Sequence, residues 1–342
     1  MKIWLLLLCF LFPCVQAAEV DQFTDINHLK DSSAVIEAEV NRRIQLAIDN
    51  ANSYYPQPLQ KKKLHHRRRP QCDVERLYGQ LRSQLAQPLI GQLEIFAEES
   101  PQVDKRRVGF EDSVYRDFER VDAPSLVISE RVAAVIRINY VYLGSDKLGH
   151  FFTEGNTYFE ITDRMSGGIE AGLLYGEWSE SLYFGAQTTG VYSYADLVAN
   201  FNGMRFWNRI LAHYADPLTQ QFQSPYIVCD HQRWVKKTPF NFDDYVDYGW
   251  DESINCSALR TQTLLQQFEQ HQPRCDGGKV PRRYGNYSRR MINRDDFKVL
   301  PYDLQPEIIA ARRAYVHEWN LPVWVTETIH EVRLELEAWR DQ

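Results

Sequence analysis

The chain has 342 residues, 44% of them hydrophobic, and a formal net charge of -7. That is the apolar content of a folded protein, long enough for one large domain or two modest ones. The mildly acidic balance leaves no electrostatic footprint for nucleic acid, which is not an expected partner.

The first twenty residues read "MKIWLLLLCFLFPCVQAAEV". Lys2 precedes a short apolar run, and small residues follow where a signal peptidase cuts, so residues 1–18 are expected to be a secretory signal removed after Ala17 or Ala18. Cys14 is preceded by Phe and Pro, which a lipobox does not tolerate. No later run reaches the ~18 apolar residues that a membrane helix needs. The expected mature chain, 19–342, is therefore a single domain without a transmembrane span after signal cleavage, periplasmic or secreted. Cys72, Cys229, Cys256 and Cys275 remain. An even count in an exported chain implies disulfides, with at least one bridge expected inside 225–280.

Along the chain, "DSSAVIEAEVNRRIQLAIDNANS" (31–53) has helical periodicity after a Ser/Asp start. The basic run 61–70, with Lys61, Lys62, Lys63, Arg67, Arg68 and Arg69, reads as a solvated loop or as an arm for an anionic envelope lipid or other polyanion. Residues 72–100 resume helical spacing with a break at Pro88 and Gly91. A helix is expected over 124–144, closing at Gly144 and leading into a second helix from Ser145 as a tight helical hairpin. The Gly-rich stretch 167–190 reads as a loop with room for a short helix, and 192–217 as a strong helix. Residues 218–249 form an irregular, aromatic-rich segment. Helix is expected again over 250–271, with Asp251 as its N-cap, and twice near the C-terminus. The fold class expected is mainly α: a helical bundle-like domain with a less regular, disulfide-tied insertion.

Chemistry concentrates in "GSDKLGHFFTEGNTYFE" (144–160) and "YSYADLVANFNGMRFW" (192–207). On a regular helix Asp146, His150 and Glu154 share one face, with Lys147 one residue round. Asp196 and Asn200 lie four apart on the later helix, followed by Gly203, small enough to let a second backbone approach. Three uses fit this set. A divalent metal takes Asp146, His150, Glu154 and Asp196. A metal-free acid/base site uses His150, Asp196 and Asn200 with Lys147 holding an anionic group. Alternatively the groups bond one another and fix helix register, Asp146 and Asp196 acting as caps. Elsewhere, the acids and aromatics of 240–257 suggest a sugar or calcium surface, or a solvated face over buried rings. Glu170 and Glu177 are possible outside donors to the central site.

"DKLGHF" followed by "SYADLVANFNG" resembles the D-K-x-x-H-F … D-x-x-x-N-x-x-G pattern of VanZ-like proteins and of related periplasmic lipoproteins of unknown function. The match covers Asp146, Lys147, His150, Phe151, Asp196, Asn200 and Gly203. VanZ-like proteins span the membrane several times, and this chain does not show such spans. The resemblance implies a shared helical core and polar cluster rather than a reaction. Two functions follow as expectations: a non-catalytic envelope factor that binds lipid or a partner, or a hydrolase or transferase acting on an envelope lipid-phosphate or glycan.

Overall fold

A computed structural model of the chain describes residues 19–24, 28–53, 72–86, 91–164, 168–182 and 184–300. The expected signal, the basic run 61–70 and the two C-terminal helices lie outside the described residues. Strand β1 (Glu19–Val20) leads to α1 (Ser33–Ser53), whose Ile36, Val40, Ile44 and Ile48 form one buried stripe. That stripe packs on α2 (Val74–Leu85), which Asp73 caps by accepting from the Arg76 amide at 3.1 Å. Then follow α3 (Gln92–Glu99), β2 (Lys105–Arg106) and α4 (Pro124–Ser129).

The expected helix over 124–144 is corrected here. Only Pro124–Ser129 is helical, and Glu130, in the left-handed region, ends it. The chain continues as β3 (Val132–Ala133), β4 (Val135–Ile138) and β5 (Val141–Gly144). Val132, Val135, Ile136, Ile138 and Val141 are β-branched and favour a pleated, half-buried surface over a helix. Asn139, at φ 56°, closes the β4–β5 hairpin, and β2 adds to its edge, giving the antiparallel order β2-β4-β5. β1 runs parallel to β3. The expected helical hairpin is therefore a strand-to-helix junction.

After Gly144 comes one continuous helical segment of mixed pitch: α5 (Asp146–Gly149), a π turn (His150–Glu154), α6 (Gly155–Phe159) and a second π turn (Glu160–Arg164). The Gly-rich stretch, read as a loop with at most a short helix, holds the 14-residue α7 (Ile169–Leu182), whose Gly172 and Gly176 seat the ring of Tyr158. Next are β6 (Val191–Tyr192) and α8 (Tyr194–Arg209), then the hairpin β7 (Ile227–Asp230)–β8 (Arg233–Lys236) within the segment read as irregular. β9 (Ala258–Leu259), α9 (Gln262–Glu269), α10 (Ser288–Met291) and β10 (Lys298–Val299) complete the described chain. β9 lies between β10 and β6. Helix 250–271 is shorter than expected: Thr261, not Asp251, caps α9, while Asp251 turns inward to Ser253 and Gln22.

α8 is the axis of this mainly helical molecule, buried from Tyr194 through Asn208. A helix buried on all sides must pair its polar side chains internally. Asn202 accordingly donates to the Tyr284 hydroxyl, and Arg205 meets Asp216 at 2.9 Å. Phe151, Phe152, Phe206, Phe240, Phe242, Tyr245 and Trp250 fill the core beside it. The aromatics of 240–257 are thus core, and Asp244 and Asp247 pair with Arg209 and Arg283. Disulfides join Cys72 to Cys229 and Cys256 to Cys275, the second inside 225–280. No helix among the described residues is long and apolar enough to cross a membrane.

The α6–α8 crossing depends on glycine. A Cβ on Gly155 would stand 2.5 Å from the Gly203 Cα, and one on Gly203 would stand 2.0 Å from the Phe151 carbonyl oxygen. Gly155→Ala is expected to destabilise the protein by about 1–3 kcal/mol, overpacking outweighing the better helix propensity of alanine. Urea denaturation measures it, and an unchanged midpoint would contradict the crossing.

Candidate functional site

The site forms where the segment after Gly144 passes α8. Gly144 is needed there because a Cβ would fall 1.9 Å from Asp146 Oδ1. Ser193 caps α8 by accepting from the Asp196 amide at 3.2 Å, which aims the first turn of α8 at α5. The capping role weighed for Asp196 belongs to Ser193. Asp146 does no capping either; its carboxylate goes to Lys147.

Lys147 is the centre. Its side chain is buried, and Nζ lies 2.6 Å from Asp146 Oδ2, 2.6 Å from Asp196 Oδ1 and 2.7 Å from Glu252 Oε1. Burial alone would lower its pKa, but the three carboxylates raise it well above the ordinary lysine value. Nζ donates to Asp146 and Glu252 and is ion-paired with Asp196, so an anionic substrate group, the role expected of Lys147, would have to compete with three carboxylates.

His150 Nε2 lies 3.0 Å from Asp196 Oδ2, and Nδ1 lies 3.1 Å from the Asn200 side-chain amide. Burial lowers the His150 pKa, and the attraction of Asp196 and of Glu180 more than offsets it, bringing it to about 10. His150 and Lys147 in turn hold the Asp196 carboxyl below its usual range against the opposing effect of burial. Asn200 responds to the charge on the ring. With its nitrogen toward His150, the amide also donates to the Asp196 and His150 carbonyl oxygens, each 3.2 Å away, and suits a ring protonated on Nε2 alone. An imidazolium requires the amide oxygen on that side instead.

Glu154 follows one π turn later. The wider turn takes it off the Asp146–His150 line that a regular helix predicts. It makes no bond to Asp196 or Lys147; its Oε2 is buried without a hydrogen-bond partner. Burial raises its pKa to about 7, opposed only by His150. Glu94 of α3 approaches from the other side. It is packed against Gly149 and bonded to Arg131 at 2.9 Å, and burial likewise raises it to about 7. With 14% of its side chain exposed, against 7% for Asp146, 8% for Asp196 and 1% for Lys147, His150 marks the open edge.

Sequence reasoning missed Glu252, Glu180, Glu19 and Glu94. Glu252 accepts from Ser193 Oγ at 2.8 Å as well as from Lys147, and Glu180 accepts from the Ser193 amide at 2.9 Å. Glu252 was visible only as one acid in the run 240–257, and Glu180 only inside a stretch read as loop. Glu170 and Glu177, weighed as outside donors, instead bind Arg290 at 2.9 and 2.5 Å.

Asp146, His150 and Asp196 each offer a ligand atom within 4.8 Å of the others, and Glu154 does not join them. A divalent ion there would stand beside an ammonium already bonded to Asp146 and Asp196. The residues therefore fit lysine better than metal.

No family model, curated protein or solved structure matches this chain.

Proposed function

We propose that this is an exported cell-envelope enzyme, a hydrolase or transferase that moves protons to and from a neutral, hydroxyl-bearing substrate such as a glycan. Glu154 carries the reading: a buried carboxyl with a free oxygen and a pKa of about 7 beside the His150–Asp196 pair. A group poised near neutrality both donates and accepts protons, the requirement for general acid/base catalysis. The π turn that sets it there is a local distortion of the kind found at functional sites. Carboxyls outnumber cations around His150, which disfavours a lipid phosphate and leaves the glycan of the two substrates considered. On this reading His150 and Glu154 act on the substrate, and Asp196, Asn200 and Lys147 position His150. The stretches that resemble the VanZ-like pattern supply Asp146, Lys147, His150, Asp196 and Asn200 of this cluster. The basic run Lys61–Lys63 and Arg67–Arg69 would hold the protein against an anionic envelope polymer.

A second reading draws on both ring nitrogens of His150 being bonded within the protein. There the cluster is a register clasp, and the protein is a non-catalytic envelope factor for lipid or a partner. The two separate with Glu154→Gln and His150→Ala, assayed for release of reducing ends from peptidoglycan strands and envelope oligosaccharides. Catalysis predicts turnover by the native protein and an activity loss of roughly 100-fold or more in each variant, with Glu154→Gln melting close to wild type. Absence of turnover across the panel, or full activity in Glu154→Gln, would sink the enzyme reading. Omission of metal and addition of a chelator should leave turnover unchanged.

A further inference from the structure

On the far side of α8 from the candidate site lies a groove of about 510 Å³, within the roughly 300–1,000 Å³ of small-molecule sites. Its position follows from the helix. Asn200 meets His150 and Asn202 donates to Tyr284, and residues two apart on a helix point to opposite sides. Three segments distant in the chain wall the groove, and each is fixed. Leu218 stands on a turn held by buried Asp216, which accepts from the Leu218 and Thr219 amides at 2.9 and 3.2 Å while its other oxygen meets Arg205 of α8. Glu170, at the start of α7, bonds Arg290 at 2.9 Å. Tyr284 donates to Asp247 and accepts from Asn202, both at 2.9 Å, and Tyr287 packs on Phe201 with ring centroids 5.4 Å apart. Walls anchored in this way are preformed, so a ligand does not have to order them.

The lining defines the chemistry of the ligand. Its two charged side chains, Glu170 and Arg283, are already matched: Glu170 by Arg290, and Arg283 by Asp247, with further donors on the Asp244 and Tyr245 carbonyls at 3.1 and 2.7 Å. What is left over is neutral. Among the described residues, the Asn286 amide and the Tyr287 hydroxyl have no hydrogen-bond partner. Gln220 spends its nitrogen on the Pro217 carbonyl at 2.7 Å and keeps its amide oxygen for another donor. The apolar part of the lining is Ile169, Pro217, Leu218 and the half-buried ring of Tyr287. Neutral donors and acceptors beside apolar faces match a sugar, whose ring carbons carry hydrogens and whose edge carries hydroxyls. An anion would find no unpaired cation among the lining residues.

We propose that this groove is a second, non-catalytic binding site that grips a neutral oligosaccharide segment of a glycan. Tyr287 and the alkyl side chains receive the C–H face of a sugar ring, while Asn286, Gln220 and the Tyr287 hydroxyl bond its hydroxyls. Because α8 stands between them, a polymer held in the groove leaves the His150 edge open. The ligand class comes from the groove's own lining, so the inference does not rest on the acid/base reading at Glu154.

The test titrates the full-length protein with N-acetylglucosamine tetramer and with cellotetraose, followed by NMR. The protein carries Glu154→Gln, so that turnover cannot consume the probe. At least one probe should bind saturably, and Asn286→Ala and Tyr287→Phe should each weaken that binding roughly 5-fold, the worth of one hydrogen bond. Asn286 is exposed and Tyr287→Phe keeps the ring on Phe201, so both variants should melt with the parent. Absence of saturable binding to both probes, binding that ignores both substitutions, or binding displaced by inorganic phosphate would each overturn the proposal. Failure of the acid/base reading leaves a different signature: no turnover in the native protein, with oligosaccharide binding through Asn286 and Tyr287 intact.

Discussion

Lys147→Met is expected to be the most destabilising single change in the molecule, costing about 3–5 kcal/mol. The side chain volume is nearly kept, so the loss is electrostatic. Asp146, Asp196 and Glu252 would remain buried around an apolar group, having lost their ammonium at 2.6, 2.6 and 2.7 Å. Such stranded charges either protonate or unfold the site. Partial recovery follows from the same account: Lys147→Met combined with Asp146→Asn and Glu252→Gln should regain much of the loss, since the amides need no counter-charge. Equilibrium urea denaturation at pH 7 measures all three proteins. A Lys147→Met cost under about 1 kcal/mol, typical of an exposed ion pair, would mean that the cluster is wetter than its burial implies.

The parts of the fold legible in the sequence were those governed by local pattern. α1 followed from the spacing of Ile36, Val40, Ile44 and Ile48, and Ser193 could be placed as the α8 cap from its spacing to Asp196. The Gly203 crossing followed because only a small residue lets two backbones meet. Errors arose where tertiary context decides. Residues 132–144 carry apolar groups that suit a buried strand or a buried helix, and pairing with β2 and β1 selects the strand. Glycines in α7 looked like loop formers, yet Gly172 and Gly176 are small to make room for Tyr158.

The site was half legible for a related reason. Asp146, Lys147, His150, Asp196 and Asn200 lie on two segments and come together through one helix crossing. Glu252 comes from a turn and Glu19 from a two-residue strand, both far off in the chain, and no periodicity marks either as inward-facing. Their burial changes the chemistry. Two of the carboxyls assumed to bind metal are paired with a lysine, and the lysine assumed to hold an anion already faces three carboxylates.

Stability should fall as pH rises from about 4.5 to 10, the reverse of the usual acid-labile pattern. Glu94, Glu154 and Glu177 are raised from 4.5 to about 7 by burial, and Asp251 from 3.8 to about 6 for the same reason. The folded state holds these protons more tightly than the unfolded chain. The stability they contribute is therefore complete below their unfolded values and is lost as pH rises through the folded ones, by up to ~3 kcal/mol per group. His150 extends the decline: its folded pKa of about 10 lies above 6.5, so its contribution is present below 6.5 and gone above 10. Asp196 has the opposite sign, depressed below 3.8, and its contribution is lost only in stronger acid. The maximum should therefore sit between pH 4 and 5, read as the urea midpoint across a buffer series. Glu154→Gln should flatten the limb between 4.5 and 7 while leaving the decline above 7 in place. A maximum at neutral pH that Glu154→Gln does not move would show that this carboxyl is ionised and solvated, and with it the proton-poised group on which the catalytic proposal stands would be lost.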